Sequence, residues 1–294
     1  MQNKIILVDG NSIMNRAFYG IPVLTNKNGE YTNAIYGFLN MIFKIYDEQK
    51  PSHMAIAFDL PVPTFRHKLF SDYKGNRKPM PIELRPQFIT LKGLLDKMNI
   101  KYFEKEGFEA DDILGTLAKK FENENFEVII FSGDQDLLQM ATENIKVFIP
   151  KTSNRHTYIE KYDSDEVLNK KGVTPEQFID VKALMGDKSD NIAGVPGIGE
   201  KNAIKLISQY KSIENALETL DGKKKLTRFE KSLCDYSKQA LFFKRLVTIN
   251  TNLNIEIEPD SIKSDNIFNN NSFSELERLQ INSFTSRFGN ESQN

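Results

Sequence analysis

Apolar residues along this 294-residue chain fall into two rhythms. Three runs are continuous: Ile5-Ile6-Leu7-Val8, Met54-Ala55-Ile56-Ala57-Phe58 and Val128-Ile129-Ile130-Phe131. Uninterrupted β-branched and aromatic runs of this length suit strands buried on both faces of a parallel sheet. Between them, apolar positions recur at helical spacing. One helix is expected over 34–48, with Ile35, Phe38, Leu39, Ile42 and Phe43 on one face, and Pro51 ends it. Another starts near 108–112, with Ile113, Leu114, Leu117 and Phe121 as its apolar face. The alternation predicts an α/β fold, a mostly parallel central sheet flanked by helices and doubly wound. Residues 144–150 and 157–162 read as shorter, later strands. From Thr174 the texture turns helical, over 175–185, 199–210 and 228–246. After about Asn250 the chain is Asn-rich and weakly periodic, so 259–274 reads as a linker and 273–288 as one last helix. Three stretches result: an α/β core over 1–172, a helical region over 173–250 and a C-terminal extension over 251–294.

Each continuous run ends in acid. The first closes on Asp9, the second on Asp59, and the third runs through Ser132-Gly133 to Asp134 and Asp136. Two further clusters join them: Glu109, Asp111 and Asp112 at a helix start, and Asp187 with Asp190, which share one side of a helical turn. Taken singly, each has a structural reading. Asp9 and Asp134 can cap helices, Glu109 or Asp111 suits a helix N-terminus, and Asp187 can belong to a turn. That reading explains the set poorly, because the turn after Asp59 needs no second acid. In open α/β sheets ligands bind at the carboxyl ends of strands. Nine acids pooled there would repel one another unless cations occupied the pool. They suit Mg²⁺ or Mn²⁺, which keep waters and take few direct carboxylates each. Two such ions point to phosphodiester hydrolysis.

Composition narrows the class. Cys234 stands alone, so there is no disulfide framework, and a reducing cytoplasm is the default. The three histidines are scattered. No apolar stretch is long enough to span a membrane, and the N-terminus carries no signal-peptide pattern. The net charge of −1 conceals segregation: residues 61–105 hold ten Lys or Arg against four Asp or Glu. Within that segment Tyr73 stands beside Lys74, Arg77 and Lys78. The expectation is phosphate binding by Lys74 and Arg77, with Tyr73 stacking on a base. Gly194, Gly197 and Gly199, followed by Lys201, allow a tight hairpin that presents backbone N–H groups at a helix start. Beside a basic segment, that hairpin reads as a seat for DNA phosphates rather than a bare helix corner.

The order of these motifs resembles the 5′-nuclease (flap endonuclease) family, as found at the N-terminus of bacterial DNA polymerase I. The matching stretches are Leu7–Asn11, Phe58-Asp59, Tyr73–Arg77, Glu109–Asp112, Ser132–Asp136, Met185–Asn191 and the hairpin Gly194–Lys201. The resemblance implies a two-metal acidic site under a helical arch over about 64–105, and a helix-three-turn-helix element that grips duplex DNA and holds K⁺. It implies that all nine acids take metal positions and that Lys74 and Arg77 contact the reacting phosphate. It further implies that Arg16 and Tyr19 contact DNA. Asn202 departs from the Thr usual in relatives. The function expected is a Mg²⁺-dependent structure-specific 5′→3′ exonuclease and flap endonuclease, a monomer acting on flaps, nicks and 5′ ends, including RNA-primed ones. The chain is either a free-standing protein or an excised domain. The rival readings are a non-catalytic branched-DNA-binding module, a PIN-like ribonuclease and an aspartyl phosphatase. The full acid set weighs against the first, the arch and hairpin against the second, and Asn11 after Asp9 against the third.

Overall fold

The computed structural model describes residues 3–153 and 156–287. The chain begins with β1 (Lys4–Asp9), α1 (Gly10–Gly20), α2 (Asn33–Gln49) and β2 (His53–Ala57). Then come α3 (Phe65–Leu69), α4 (Arg85–Lys97), β3 (Lys101–Phe103), α5 (Ala110–Asn123) and β4 (Glu127–Phe131). An antiparallel pair, β5 (Ile145–Ser153) and β6 (His156–Tyr162), completes one sheet of order β3-β2-β1-β4-β5-β6. All other pairings are parallel.

The chain order places β1 centrally, runs outward through β2 and β3, then reverses to β4 on the other side. Strand order therefore switches between β1 and β4, where an open sheet leaves a crevice at its carboxyl edge. Register brings the strand ends level: Asp9 pairs with Ala57 and Val8 with Phe131. The continuous apolar runs are explained by alternation. Ile5 and Leu7 face one core with Leu114, Leu117 and Ile130; Ile6 and Val8 face the other with Phe38, Phe43 and Leu94. Both sides are buried, so no position in these strands needs to be polar.

The first of these cores is continuous with the helical region: α6 (Ser164–Lys171), α7 (Pro175–Met185), α8 (Glu200–Tyr210), α9 (Ile213–Leu220), α10 (Arg228–Asp235) and α11 (Ser237–Val247). The helix expected over 228–246 is two, interrupted at Tyr236 (φ −112°, ψ 25°). Residues 64–105 are not one continuous helical arch. The short α3 leads into turns over 71–76 and an irregular stretch before α4.

The expected linker over 259–274 is corrected. Ile262 and Ile267 are buried, Lys263 bridges to His53, and Ser264 Oγ donates to Pro51 O at 2.8 Å. Beyond it α12 (Asn270–Leu279) lays Leu276 and Leu279 into the core of α2 and α4, and the Phe284 ring packs 5.5 Å from Phe43. Single apolar residues among asparagines carry no periodicity, so their burial could not be read locally. The helix expected over 273–288 starts earlier and stops at Leu279, where Gln280 turns left-handed at φ +59°, and a separate 3-10 turn covers Asn282–Arg287; the extension beyond 287 lies outside the described residues.

Candidate active site

Asp9 ends β1 and is 4% exposed. Its Oδ1 accepts from Ser12 N at 2.9 Å, capping α1, while Oδ2 accepts from Ser132 Oγ at 2.6 Å. The residue after it has to be glycine, because a Cβ on Gly10 would lie 2.2 Å from the Phe58 ring. Asn11 Oδ1 then accepts from Asp59 N at 2.9 Å, lashing the end of β2 to that of β1. Asp59 Oδ1 accepts from Ala110 N at 2.7 Å, which brings the start of α5 to the same edge.

Glu109 precedes α5 and meets the basic segment. Lys74 Nζ donates to its Oε1 at 2.7 Å, and Tyr73 OH lies 3.1 Å from its Oε2. On the β4 side, Asp134 Oδ1 accepts from Asp136 N at 2.9 Å. Lys182 of α7 lies between Asp136, at 2.8 Å, and Asp187. Arg77 Nη2 donates to Asp190 Oδ1 at 2.7 Å, and Tyr73 OH to Asp190 Oδ2 at 2.8 Å. Eight acids thus form a row along the switch point that bends back on itself: Asp190 and Glu109 meet at Tyr73, Asp59, Asp111, Asp9 and Asp134 lead on to Asp136 and Asp187, and Asp190 N donates to Asp187 Oδ1 at 3.3 Å.

The electrostatics fit a cation site. Burial, with Asp59 and Asp134 nearby, outweighs the two serine hydrogen bonds and raises Asp9 from 3.8 to about 7. Burial and Asp134 raise Asp136 to about 7 as well, despite Lys182. Asp111 is pushed well above the carboxylate range by burial and then by Asp134 and Asp9. Asp187 goes the other way: burial is outweighed by Lys182 and Ser189, and it sits at about 2. Among the described residues no three acids, histidines or cysteines converge as a ready metal cage. Protein cations bridge the row instead. The donor set nonetheless suits a hard divalent ion, since buried carboxylates crowded by one another gain most from one.

Two expectations fail. Asp112 is fully buried, and four donors surround its carboxylate: Arg66 Nη1 and Nη2 at 2.7 and 2.8 Å, Glu109 N at 3.0 Å and Asn250 N at 2.8 Å. No lone pair is left for a metal, so Asp112 braces Glu109 from behind. Tyr73 is 3% exposed, with its hydroxyl on two acids, so its ring is not free to stack on a base.

Arg16 Nη2 donates to Thr152 Oγ1 at 2.7 Å, and Tyr19 is 72% exposed one turn further along α1. In the hairpin, Gly194 and Gly197 have φ of +69° and +77°, which glycine adopts without strain. Gly199 caps α8 with no side chain, and Ser232 Oγ fixes the hairpin by donating to Pro196 O at 2.6 Å. Lys201 is exposed on the first turn of α8. The motifs did not reveal Lys182 and Arg66. For Lys182 a signal existed, a lysine inside the apolar stretch Val181–Leu184; for Arg66 there was none, because its partners lie up to 182 residues away.

Comparison with known proteins gives the family and the fold. Residues 4–172 match the 5′-3′ exonuclease N-terminal resolvase-like domain, and residues 173–270 match the 5′-3′ exonuclease C-terminal SAM fold. The chain is 44% identical to DNA polymerase I of Bacillus subtilis over 294 residues, covering 99% of this chain and 33% of that protein. It therefore spans about a third of the length of that relative. Among solved structures it is similar to the 5′-exonuclease of bacteriophage T5 with zinc bound (TM-score 0.68, 25% identity, covering 85% of this chain and 90% of that one). The bacteriophage T5 flap endonuclease in a product complex with DNA and metal ions shares the fold (TM-score 0.67, 21% identity, covering 97% and 98%).

Proposed function

The chain belongs to the 5′-3′ exonuclease family, and from that premise we propose that it hydrolyses DNA phosphodiesters at 5′ flaps, nicks and 5′ ends, including RNA-primed ones, with two divalent metal ions. The observation that carries this reading is the row of eight acids at the sheet's switch point, with Asp9 and Asp136 held near 7 and with Lys74 on Glu109 and Arg77 on Asp190. Asp9, Asp59, Asp111 and Asp134 would hold one ion, and Asp136, Asp187 and Asp190 the other, with Glu109 between them. Bound Mg²⁺ or Mn²⁺ supplies an activated water and neutralises charge on the reacting phosphate.

The chain's own groups do the rest. Ser12 and Ser132 fix the Asp9 carboxylate, and Asn11 fixes the backbone at Asp59, so the acids stay placed without help from a ligand. Lys74 and Arg77 exchange Glu109 and Asp190 for the non-bridging oxygens of the scissile phosphate. Residues 1–172, completed by Asp187 and Asp190, carry this chemistry, and the rest of 173–250 grips the duplex through the backbone N–H groups of Gly197 and Gly199 and through Lys201, with K⁺ at the hairpin. Arg16 and Tyr19 extend the DNA contact along α1. The protein is read as a cytoplasmic monomer; among the described residues no helix is long and apolar enough to cross a membrane.

The test is a panel of 5′-flap, nicked and single-stranded substrates with Mg²⁺, Mn²⁺ or chelator, in K⁺ or Na⁺. Cleavage of flap and nick that requires a divalent ion is expected. If neither metal supports cleavage but branched DNA still binds, the chain is a binding module instead.

A further inference from the structure

One lysine beside the acid row is not used by the reaction just described. A pocket of about 400 Å³ runs from Asp134 and Asp136 to Glu200, the first residue of α8, with Ser12, Lys171 and Lys182 also on its walls. It joins the cleavage site to the end of the glycine hairpin by one continuous space. Lys182 already lies between Asp136 and Asp187. Lys171, the last residue of α6, does not have such partners. Its ammonium donates to the neutral Gln135 Oε1 at 2.6 Å and, among the described residues, to no carboxylate.

A lysine ending a helix commonly answers the macrodipole and stays in solvent. Lys170 does this: it pairs with Glu166 at 3.1 Å and lies over the Tyr162 ring. Lys171 is half-buried and points to the residue between two acids of the row. Burial pulls its pKa below the usual lysine value, although Glu200 and Glu160 act against that; Lys151 and Lys182 add to it. A partly dehydrated ammonium facing a neutral amide gains more than a solvated one from an incoming anion.

We propose that Lys171 binds a backbone phosphate of the substrate strand, beside the phosphate being cleaved, where that strand crosses the pocket toward the hairpin. The proposal rests on the nuclease reading, and it makes Lys171 a positioning residue that sets how far the strand end reaches past the metals.

Binding of a 5′-flap duplex by fluorescence anisotropy, in chelator and across a salt series, tests it. Lys171→Gln should weaken binding about tenfold and lower the slope of log affinity against log salt by about one, and Lys171→Arg should restore both. A flap carrying a single neutral methylphosphonate, walked along the strand, should lose affinity for the wild-type protein at one position near the cleaved bond. Lys171→Gln should be insensitive at that position alone. An unchanged slope with the same methylphosphonate profile in wild type and Lys171→Gln would overturn the contact while leaving the nuclease reading intact. Wild-type protein that binds no branched DNA would remove both.

Discussion

At Asp134 and Lys74 binding and chemistry can be separated. Asp134→Asn removes charge from the middle of the row without disturbing a strand, so cleavage should fall by several orders of magnitude while flap binding stays within a few-fold. Single-turnover cleavage beside anisotropy checks both. Lys74→Ala should lower the single-turnover rate about a hundredfold or more, with a smaller change in affinity. Arg66 is different in kind. Truncating it leaves Asp112 buried and uncompensated, which costs about 3–5 kcal/mol, so Arg66→Ala should show as a lower melting temperature before any kinetic effect. Protonation gives a further handle. Asp9 and Asp136 are raised from 3.8 to about 7 in the folded chain. Between those values the unfolded chain has already released protons that the folded chain retains, so stability falls as pH rises through that window. The two groups together lose about 5 kcal/mol between pH 5 and 8, so the chelated protein should lose about 10 °C of melting temperature from this source. Asp9→Asn should flatten the trend, and Mg²⁺ should stabilise strongly at pH 8 and little at pH 5. Equal Mg²⁺ stabilisation at both values would contradict the acid-row assignment.

Between elements, the basic segment closes on the loop after α7 through bonds that no short window of sequence contains. Asn76 Nδ2 donates to Lys188 O at 2.7 Å, Asn191 Nδ2 to Asp72 O at 2.8 Å, and Lys74 N to Asp190 O at 3.0 Å. This closure explains why the role expected of Tyr73 fails: its hydroxyl partner Asp190 is 117 residues away, so its burial is a tertiary fact. The strand-end acids were legible for the opposite reason, since each follows directly from an apolar run whose end the sheet topology then places. The glycine hairpin offers a comparison in which fold and ligand binding separate. A Cβ on Gly194 would sit 2.5 Å from Gly186 N at a φ of +69°, so Gly194→Ala should destabilise the helical region itself. At Gly199 nothing lies within 4 Å and φ is −89°, so alanine fits. Gly199→Ala should melt within about 1 °C of wild type yet bind duplex several-fold more weakly, because only an approaching phosphate backbone would meet the new methyl. Undiminished duplex binding by that variant would move the phosphate seat elsewhere.

For the molecule as a whole, the sharpest departure from the sequence lies in the residues after 250. Their asparagines and missing periodicity suggest a tether, yet Ile262, Ile267, Leu276, Leu279, Ile281 and Phe284 are all buried. Ile262 joins the first core, and the second cannot close without the other five, because α2 and α4 present Phe38, Phe43 and Leu94 to that side of the sheet. Burying each such side chain contributes about 1.5–3 kcal/mol, so removing six at once removes about 9–18 kcal/mol. Domains of this kind have total stabilities of about 5–15 kcal/mol. A chain ending at residue 250 should therefore lack a cooperative thermal transition and expose apolar surface, even though every acid of the row and the whole hairpin remain in it. Calorimetry and dye binding on that truncation decide the matter: a melting temperature within a few degrees of the full chain would mean that the segment merely rests on the sheet. If the truncation collapses as expected, the acid row depends on packing at the opposite edge of β1 and β2. The amino end of β2 is held by Ser264 and Lys263, while the carboxyl ends of both strands hold the acids.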